Sequence, residues 1–404
     1  MRRALALGAL VMAGEAVFVL PFVIPRVFRP TLLEAFGIDN TQLGAAFSAY
    51  GIVAMVSYGL GGPLADRFPV RWMMVAALLC TAAGGVVFAT LPGPATLWAL
   101  YAGWGVTTIL LFWAGLLRAT RAWGGDAQQG RAYGFLDGGR GLLAAGLSTV
   151  ALGVFAVALG DDPSPEDRRQ ALQAVIGAGI VLTVVSAALV AAFVPDDADP
   201  SPPRPAWEDV RSVLGRPLVW LQAVIVVCAY VGYKGTDDTS LLASEVLGWS
   251  EVQSAGLGTL SFWLRPVSAV AAGLLADRIG GWRTVAGAFV VLLLADLAVA
   301  SGTMGPLVPL VLSGVVGTGA AVYALRGVYF ALTQEAGIPL AQTGAAVGTV
   351  SVLGYTPDVF MGPLMGMLLD GAPGATGHQH LFLVLAGFAA VGLVASLAFG
   401  RLSR

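Results

Sequence analysis

The sequence is poor in charged residues. Of its 404 residues, 11% are Asp, Glu, Lys or Arg, and Lys234 is the single lysine. Soluble domains carry about 25% charged residues. With 57% hydrophobic residues, the chain has more apolar surface than one water-soluble core of this length would bury. The shortage of charge argues against a soluble domain, and the net charge of -2 gives no support to a nucleic-acid partner.

Cysteine and histidine are scarce as well. Cys80 and Cys228 are the two cysteines, and each falls within an apolar run, so no disulfide framework is expected. The two histidines, His378 and His380, precede the last apolar run, and we place them in a loop. A metal site would need more ligands at suitable spacing. No nucleotide-binding or hydrolase motif is found, so we expect no metal, no cofactor and no enzymatic activity.

Long apolar runs are abundant, and each has the length of roughly 20 residues that crosses a bilayer. The 54 glycines suit membrane helices that pack through small residues. The sequence therefore predicts an all-α integral membrane protein. The twelve predicted transmembrane helices span about 4–26, 41–64, 71–91, 96–120, 131–158, 171–194, 217–236, 252–276, 283–301, 305–330, 342–368 and 381–400.

One polar, proline-rich stretch, residues 195–216, interrupts the apolar pattern. It predicts a flexible linker between two domains of six helices each, 1–194 and 217–404. Arginines in loops predict the orientation, because cytoplasmic loops carry an excess of basic residues. With the N-terminus inside, fifteen arginines fall on the cytoplasmic side, Arg326 among them, and four fall outside. Both termini and the linker are therefore expected in the cytoplasm.

A short charged motif occurs twice, each time between two apolar runs. The first copy reads Gly62-Pro-Leu-Ala-Asp66-Arg67, and the second reads Gly273-Leu-Leu-Ala-Asp277-Arg278. Each copy has a further arginine four or five residues on. The pattern resembles the loop signature of the major facilitator superfamily, which lies between the second and third helices of each half.

This resemblance covers essentially the whole chain. It implies two pseudo-symmetric bundles of six helices, a central solute site and alternating access. In the family, the hairpins help to hold the cytoplasmic side closed. The gating residues carried over by the motif are Asp66, Arg67, Arg71, Asp277, Arg278 and Arg283. The first copy departs from the family pattern at Pro69, where glycine is usual, so its turn geometry stays open.

Two departures disfavour drug export. The Gly-Pro pair of the drug:proton exporters is missing from the fifth span, and Trp104 stands where the fourth span usually carries arginine. The segments around Trp113 and around Asp137-Gly-Gly-Arg140 resemble bacterial organic-anion and sugar-phosphate permeases. The alternatives are an exporter of drugs or amphipathic compounds in exchange for protons, and a transporter-like solute sensor.

Placing a charged residue inside the hydrocarbon of a bilayer costs free energy, so such residues are candidates for a functional role. Glu15 and Arg265 lie near the middle of their spans at 1.5 Å rise per residue. Asp137 and Arg140 share a helix face, so an internal salt bridge and a solute site are both open for this pair. Arg265 has no acidic partner on its own helix and suits a carboxylate, phosphate or sulfonate. The predicted solute-binding residues are Arg140, Arg265, Lys234, Trp113, Tyr230, Trp263 and Tyr355.

Proton coupling is assigned to Glu15, Asp137 and Asp358, because a low-dielectric environment favours a neutral carboxyl group. Glu15 is equally open to pairing with a buried arginine, and Asp358 follows Pro357 at a predicted break in the eleventh helix. The sequence thus predicts a monomeric secondary transporter of the bacterial inner membrane, a symporter or antiporter. Its partners would be the lipid bilayer, a small polar and anionic organic solute, and protons.

Overall fold

The computed structural model of the protein describes residues 2–125, 129–160, 162–195, 207–302, 308–339 and 342–403. Within these ranges the chain is all-helical and contains no β-strand. The α-helices, in chain order, are α1 (Arg2–Phe18), α2 (Ile24–Val27), α3 (Arg29–Phe36), α4 (Asn40–Arg67), α5 (Val70–Ala89), α6 (Pro94–Gly105), α7 (Ala114–Gly124), α8 (Gln129–Leu159), α9 (Pro165–Phe193), α10 (Trp207–Leu214), α11 (Pro217–Gly235), α12 (Thr239–Glu245), α13 (Glu251–Ile279), α14 (Gly281–Ala300), α15 (Val308–Val328), α16 (Leu332–Glu335), α17 (Thr343–Gly354), α18 (Pro357–Gly371) and α19 (Ala375–Leu402). Two π-helical segments, Val19–Val23 and Val106–Trp113, and a 3-10 turn, Thr236–Asp238, join consecutive helices.

Within the described residues, twelve segments are long and apolar enough to cross a bilayer, which confirms the predicted number. They are Arg3–Val27, Asn40–Gly61, Val70–Ala89, Pro94–Gly124, Ala132–Leu159, Pro165–Phe193, Pro217–Glu245, Glu251–Ile279, Gly281–Ala300, Val311–Val328, Thr343–Gly371 and Ala375–Leu402. Two boundaries matter for function. The seventh span continues past its predicted end through a 3-10 turn to Glu245, and the twelfth begins at Ala375.

The prediction that His378 lies in a loop is wrong. His378 occupies the first turn of α19 and is 1% exposed. Gly374, which precedes α19, has φ +78, a conformation that glycine adopts without a steric penalty. The helix therefore begins directly after this glycine. The polar residues of the stretch belong to the helix itself.

The chain forms two compact units, Met1–Ser201 with Trp249–Phe262 and Pro202–Gly248 with Trp263–Arg404. Each unit has its own apolar core. Leu20, Tyr101 and Phe155 lie in the core of the first unit, and Phe289 and Phe399 lie in that of the second. The proposed limits of the two six-helix domains and of the linker stay a prediction, and residues 196–206 lie outside the described part of the chain.

Glycine allows the helices to approach closely within each unit. A Cβ atom at Gly105 would lie 2.9 Å from the backbone oxygen of Tyr50. In the second unit, a Cβ atom at Gly327 would lie 3.1 Å from the Cα atom of Ala269. Side chains at these positions would push the backbones apart. Such small-residue contacts are the usual packing mode of membrane helices.

The outward side chains of the spans are apolar. Val157, Val267 and Val394, on three different spans, are exposed by 87%, 68% and 67%. A water-soluble protein covers most of its surface with a mixture of polar and apolar groups. A helix that is apolar on its exposed face is stable only where hydrocarbon replaces water. The exposed faces therefore face lipid.

Candidate functional site

The first charged cluster lies in the first unit, around Arg140 on α8. Arg140 is 8% exposed. Its Nε donates to the backbone oxygen of Gly14 at 3.0 Å and lies 3.4 Å from Oε2 of Glu15. The guanidinium carbon also lies 5.3 Å from the ring centre of Trp113 and 5.8 Å from that of Phe18. Three elements, α1, α8 and the π-helical segment before α7, thus surround one buried cation.

Glu15 and Asp137, two of the predicted proton-coupling residues, both contact Arg140. Asp137 Oδ1 lies 3.5 Å from Nη1 of Arg140, as the i,i+3 spacing predicts. The side chain of Asp137 is 79% exposed, however, whereas that of Glu15 is 5% exposed. Water screens an exposed carboxylate, so the buried one interacts more strongly. Glu15 is the main counter-ion of Arg140, and this geometry supports the pairing alternative for Glu15.

The second charged cluster lies in the second unit, around Lys234 on α11. Lys234 is 2% exposed. Its Nζ lies 3.3 Å from Oδ2 of Asp237 and 3.4 Å from Oδ1 of Asp358. The hydroxyl of Tyr230 donates to the other carboxylate oxygen of Asp358 at 3.0 Å. Because two carboxylates neutralise Lys234, the cluster is better suited to proton coupling than to direct contact between Lys234 and an anionic solute.

A helix break positions Asp358. Helix α17 ends at Gly354 and α18 begins at Pro357, which confirms the predicted interruption of the eleventh span. Asp358 lies in the first turn of α18, where the helix dipole favours a negative charge. Tyr355, in the break itself, packs against Tyr230 with ring centres 5.0 Å apart. The break therefore brings a carboxylate and an aromatic ring to Lys234 and Tyr230.

Arg326 on α15 lies against the same tyrosines, and the sequence analysis missed it as a site residue. Its guanidinium carbon lies 4.0 Å from the ring centre of Tyr233 and 5.5 Å from that of Tyr230. Its Nη1 is buried and has no hydrogen-bond partner among the described residues. The charge count places Arg326 at the cytoplasmic end of the predicted span 305–330, and in the structure it lies near the end of the span Val311–Val328. Arg326 is spaced i,i+3 from Tyr323, an aromatic residue of the same span, and this spacing was the sequence feature that could have indicated a site residue.

Two other predicted solute-binding residues lie on α13. Arg265 is half-buried, and Trp263 is 44% exposed. Pro266 follows Arg265 inside this helix. The exposure of Trp263 fits contact with lipid as well as contact with solute. The roles of both residues stay predictions.

The two charged hairpins have different turns. Pro69 precedes α5 with φ -60 and ψ 118, whereas Gly280 precedes α14 with φ 94 and ψ 150. The replacement of glycine by proline in the first copy is therefore accompanied by another backbone conformation. The carboxylate of Glu335 accepts from the backbone N–H groups of Gly281 at 2.5 Å and Trp282 at 3.1 Å. This contact anchors the second hairpin to α16.

The charged side chains of the two hairpins differ in their exposure and contacts. Arg67, Asp277, Arg278 and Arg283 are exposed, and Arg71 is half-buried with its guanidinium over Trp72. Arg283 donates to the backbone oxygen of Ile279 at 2.9 Å. The side chain of Asp66 lies outside the described part of the structure. The gating roles of these residues stay predictions.

Two polar residues inside spans are structural. Trp104 is buried, donates from Nε1 to the backbone oxygen of Thr81 at 3.2 Å and packs edge-on against Tyr101. Asp296 is fully buried, and its Oδ1 accepts from the hydroxyl of Thr318 at 2.7 Å, while its Oδ2 has no hydrogen-bond partner among the described residues. Hydrogen bonds of this kind between helices stabilise their packing. Trp104, at the position where the fourth span usually carries arginine, is thus part of a packed core.

One cavity of about 550 Å³ lies in the second unit, where α10 and α11 meet the end of α19. Its lining is apolar, with Trp220, Val224 and Leu402 among the contributing side chains. A polar solute needs convergent hydrogen-bonding groups in its site. This cavity lacks them and suits a lipid chain.

The comparison with known proteins decides the family. The sequence profile of the Major Facilitator Superfamily matches residues 5–357. The chain belongs to this superfamily. It is a multi-pass membrane protein with a transporter fold, and its activity is secondary transport of a small-molecule solute.

Relatives and solved structures agree with this assignment. The inner membrane protein YqcE of Escherichia coli is 26% identical, and the match covers 98% of this chain and 94% of YqcE. The inner membrane protein YihN of the same organism is 27% identical over 96% of this chain and 93% of YihN. The crystal structure of the nucleoside transporter NupG superposes with a TM-score of 0.75 at 14% identity, covering 99% of this chain and all of that one. A bacterial homologue of the human lysosomal transporter Spinster, inward-facing and unoccupied, gives a TM-score of 0.74 at 18% identity over 99% of this chain and 98% of that one.

Proposed function

We propose that this transporter moves a small organic anion across the inner membrane by alternating access. The observation that carries the proposal is the environment of Arg326. Its guanidinium lies against Tyr233 and Tyr230, and its buried Nη1 has no hydrogen-bond partner in the described part of the chain. The nearby cation Lys234, in contrast, is already neutralised by Asp237 and Asp358.

An unpaired buried donor is unstable in the absence of a partner. Leaving such a group unsatisfied costs about 1–3 kcal/mol, and more when the group is charged. The oxygens of a carboxylate, phosphate or sulfonate would accept from the guanidinium through two parallel hydrogen bonds. The two tyrosine rings would hold the planar group in place through cation–π contacts. The chemistry of Arg326 therefore favours an anionic solute.

The other predicted solute-binding residues have different roles in the proposed site. Arg140 is held by Glu15 and the backbone of Gly14, so it contributes positive charge with its position fixed. Arg265 remains a predicted anion ligand on α13. Trp113 and Tyr355 contribute ring faces beside Arg140 and Tyr230. Proton coupling is assigned to the cluster of Lys234 and Asp358.

Uptake into proteoliposomes tests the proposal. The probes are radiolabelled gluconate, glucose 6-phosphate and isethionate, with choline and glucose as the cationic and neutral comparisons. We expect uptake of at least one of the three anions. Arg326→Gln should lower its initial rate roughly 10- to 100-fold, the factor that corresponds to a lost charged hydrogen bond. Arg326→Lys should also lose most of the activity, because an ammonium lacks the planar fork.

Arg401→Gln is the matched control. Arg401 is exposed near the end of α19, and its replacement removes the same charge without touching the tyrosines. Each variant is first compared with the parent protein by gel filtration and thermal unfolding in detergent. A folded Arg326→Gln variant that takes up the anion with unchanged KM contradicts the assignment of Arg326. Uptake of choline alone supports the alternative of an exporter of cationic compounds, and binding without uptake supports a sensor.

A further inference from the structure

A buried histidine lies between two carboxylates at one end of the second unit. His378, in the first turn of α19, is 1% exposed. Its Nδ1 lies 2.7 Å from Oδ2 of Asp238, and its Nε2 lies 3.2 Å from Oε2 of Glu245. Asp238 is fully buried on the 3-10 turn that follows α11. Glu245 ends α12, and 35% of its side chain is exposed.

The two contacts fix the number of protons in this triad of His378, Asp238 and Glu245. A neutral imidazole donates through one ring nitrogen and presents a lone pair at the other. A carboxylate opposite a bare nitrogen is repelled, so both short contacts need a proton between their atoms. The heavy-atom geometry is therefore that of an imidazolium between two carboxylates, which holds two protons. Removing one proton leaves the ring with a single donor and breaks one contact.

The contact with Glu245 is the one that breaks. Asp238 has no exposed surface and keeps the shorter hydrogen bond, whereas Glu245 can turn into solvent. The neutral ring keeps one N–H group, and a buried carboxylate that loses its hydrogen-bond donor is destabilised more than an exposed one. Proton loss from Nε2 to water therefore separates His378 from Glu245 and releases the end of α12. Proton binding restores the contact.

A small cavity supplies a place for water beside the ring. Its volume is about 60 Å³, and its walls include His378, Gln379, Gly302 and Leu242. A water molecule needs about 10–15 Å³ of such space and two or more polar partners. The side chains of His378 and Gln379 provide polar groups. The cavity can therefore hold the water that accepts or delivers the proton.

The triad is adjacent to the charged cluster of Lys234. Asp237 and Asp238 are consecutive residues of one 3-10 turn, and they pair with Lys234 and His378 respectively. A change in the charge of one pair is felt by the other through this turn. Other charged or titratable groups lie on α19 and on the elements packed against it: Cys228, Tyr230, Tyr233, Lys234, Arg283, Asp296, Asp358, Asp370, His380 and Arg401.

A metal site does not explain the triad. The two ring nitrogens point to different carboxylates, so the three side chains do not share a centre. No group of three or more metal-ligating side chains was found among the described residues. A structural zinc ion would need about four ligands around one point. The arrangement is suited to protons.

We propose that His378, Asp238 and Glu245 form a second proton-binding site, which works together with the adjacent cluster of Lys234 and Asp358 to couple transport to a proton gradient. This proposal rests on the proposed function, since it names how the same transporter is coupled. One proton enters or leaves at Nε2 on the side where Glu245 meets solvent. Its binding closes the contact between α12 and α19, and its release opens it. Asp238 is the positioning residue that fixes the ring.

Histidine NMR tests the site without any solute. The chain has two histidines, so protein labelled with 15N-histidine in detergent gives two sets of ring signals. His380→Gln assigns them, because His380 is exposed and lies two positions from His378. We expect His378 to change from a ring with two N–H protons to one that keeps only the Nδ1 proton as the pH rises from 5 to 10. Glu245→Gln should remove the doubly protonated form at pH 7.

Different results would contradict the proton-binding site and the anionic solute. A His378 ring that carries the same number of protons from pH 5 to pH 10 overturns the proton site, whatever the protein transports. In proteoliposomes, an inward-directed proton gradient should stimulate anion uptake by the parent protein and by His380→Gln. Uptake by His378→Gln should stay at the rate seen without a gradient. A titrating His378 together with choline uptake and no anion uptake would contradict the anionic solute and leave the proton site supported.

Discussion

The ammonium group of Lys234 lies 3.4 Å from the carboxylate of Asp358, and this contact joins α11 to α18 in the interior of the second unit. The same ammonium lies 3.3 Å from Asp237. One cation therefore balances two buried carboxylates, and the three groups are not equivalent. Loss of the cation leaves two charges uncompensated, whereas loss of either carboxylate leaves an intact pair.

The first prediction concerns this asymmetry. Lys234→Met should destabilise the protein by about 3–5 kcal/mol, the usual effect of breaking a buried ion pair from one side. Asp358→Asn should cost less, because Lys234 keeps Asp237. The double variant should be more stable than Lys234→Met alone, since one of the two uncompensated carboxylates has been removed. Apparent Tm values in detergent, measured by tryptophan fluorescence at one heating rate, check the order. Equal losses for Lys234→Met and Asp358→Asn would contradict it.

The second prediction separates two roles of Arg140. Arg140→Gln removes the buried counter-ion of Glu15, so we expect a fall in apparent Tm and in the yield of monodisperse protein. Adding Glu15→Gln should recover most of both losses, because the buried negative charge is then gone. If Arg140 also binds solute, the recovered double variant should still transport more than tenfold more slowly than the parent protein.

Transport at the parental rate by that double variant would show that Arg140 is structural. Asp137→Asn is the control for the exposed partner of Arg140. It should change the apparent Tm little, because exposed ion pairs contribute at most about 1 kcal/mol.

The third prediction compares the two hairpins. Gly280 has φ 94 and ψ 150, a region that residues with a Cβ atom seldom occupy. Gly280→Ala should therefore destabilise the protein by about 1–3 kcal/mol. Pro69→Ala, at the matching position of the first hairpin, should have a smaller effect because φ -60 is accessible to alanine. Thermal unfolding of both variants provides the comparison, and a larger loss for Pro69→Ala would refute the explanation.

The fourth prediction concerns orientation. The arginine distribution predicts that both termini lie in the cytoplasm. In a background without Cys80 and Cys228, a cysteine at Glu166 should react with a membrane-impermeant maleimide in intact cells. A cysteine at Ser403 should react only after the cells are opened. The reverse pattern would invert the proposed topology, including the side from which Glu245 exchanges protons.

The transmembrane spans were predictable from the sequence because the hydrophobicity of consecutive residues simply adds up along each span. Each one needs only enough consecutive apolar residues, and no knowledge of neighbours enters the count. The break at Pro357 was also local, since proline interrupts the hydrogen bonding of a helix wherever it occurs. The twelve spans and this interruption are accordingly confirmed.

The partners of the buried charged residues were harder to predict from the sequence. Glu15 and Arg140 lie on the first and fifth spans, and only helix packing decides that they meet. Arg326 was missed because its position near the end of a span also suits a loop. His378 was misplaced because a Gly-rich polar stretch resembles a turn until a helix is seen to start at Ala375. Long-range pairing is a property of the assembled bundle, and a single sequence carries little direct information about it.

The π-helical segment Val106–Trp113 sets the direction in which the ring of Trp113 faces. A π turn contains one residue more than an α turn, and one extra residue rotates everything that follows by about 100°. Trp113 lies at the end of the segment and faces Arg140. Deleting a single residue between 106 and 112 would restore α-helical periodicity and turn the indole away from the guanidinium. Under the proposed function, in which Trp113 contributes a ring face to the solute site, the loss of one residue from this segment would change the solute preference without replacing any side chain of that site.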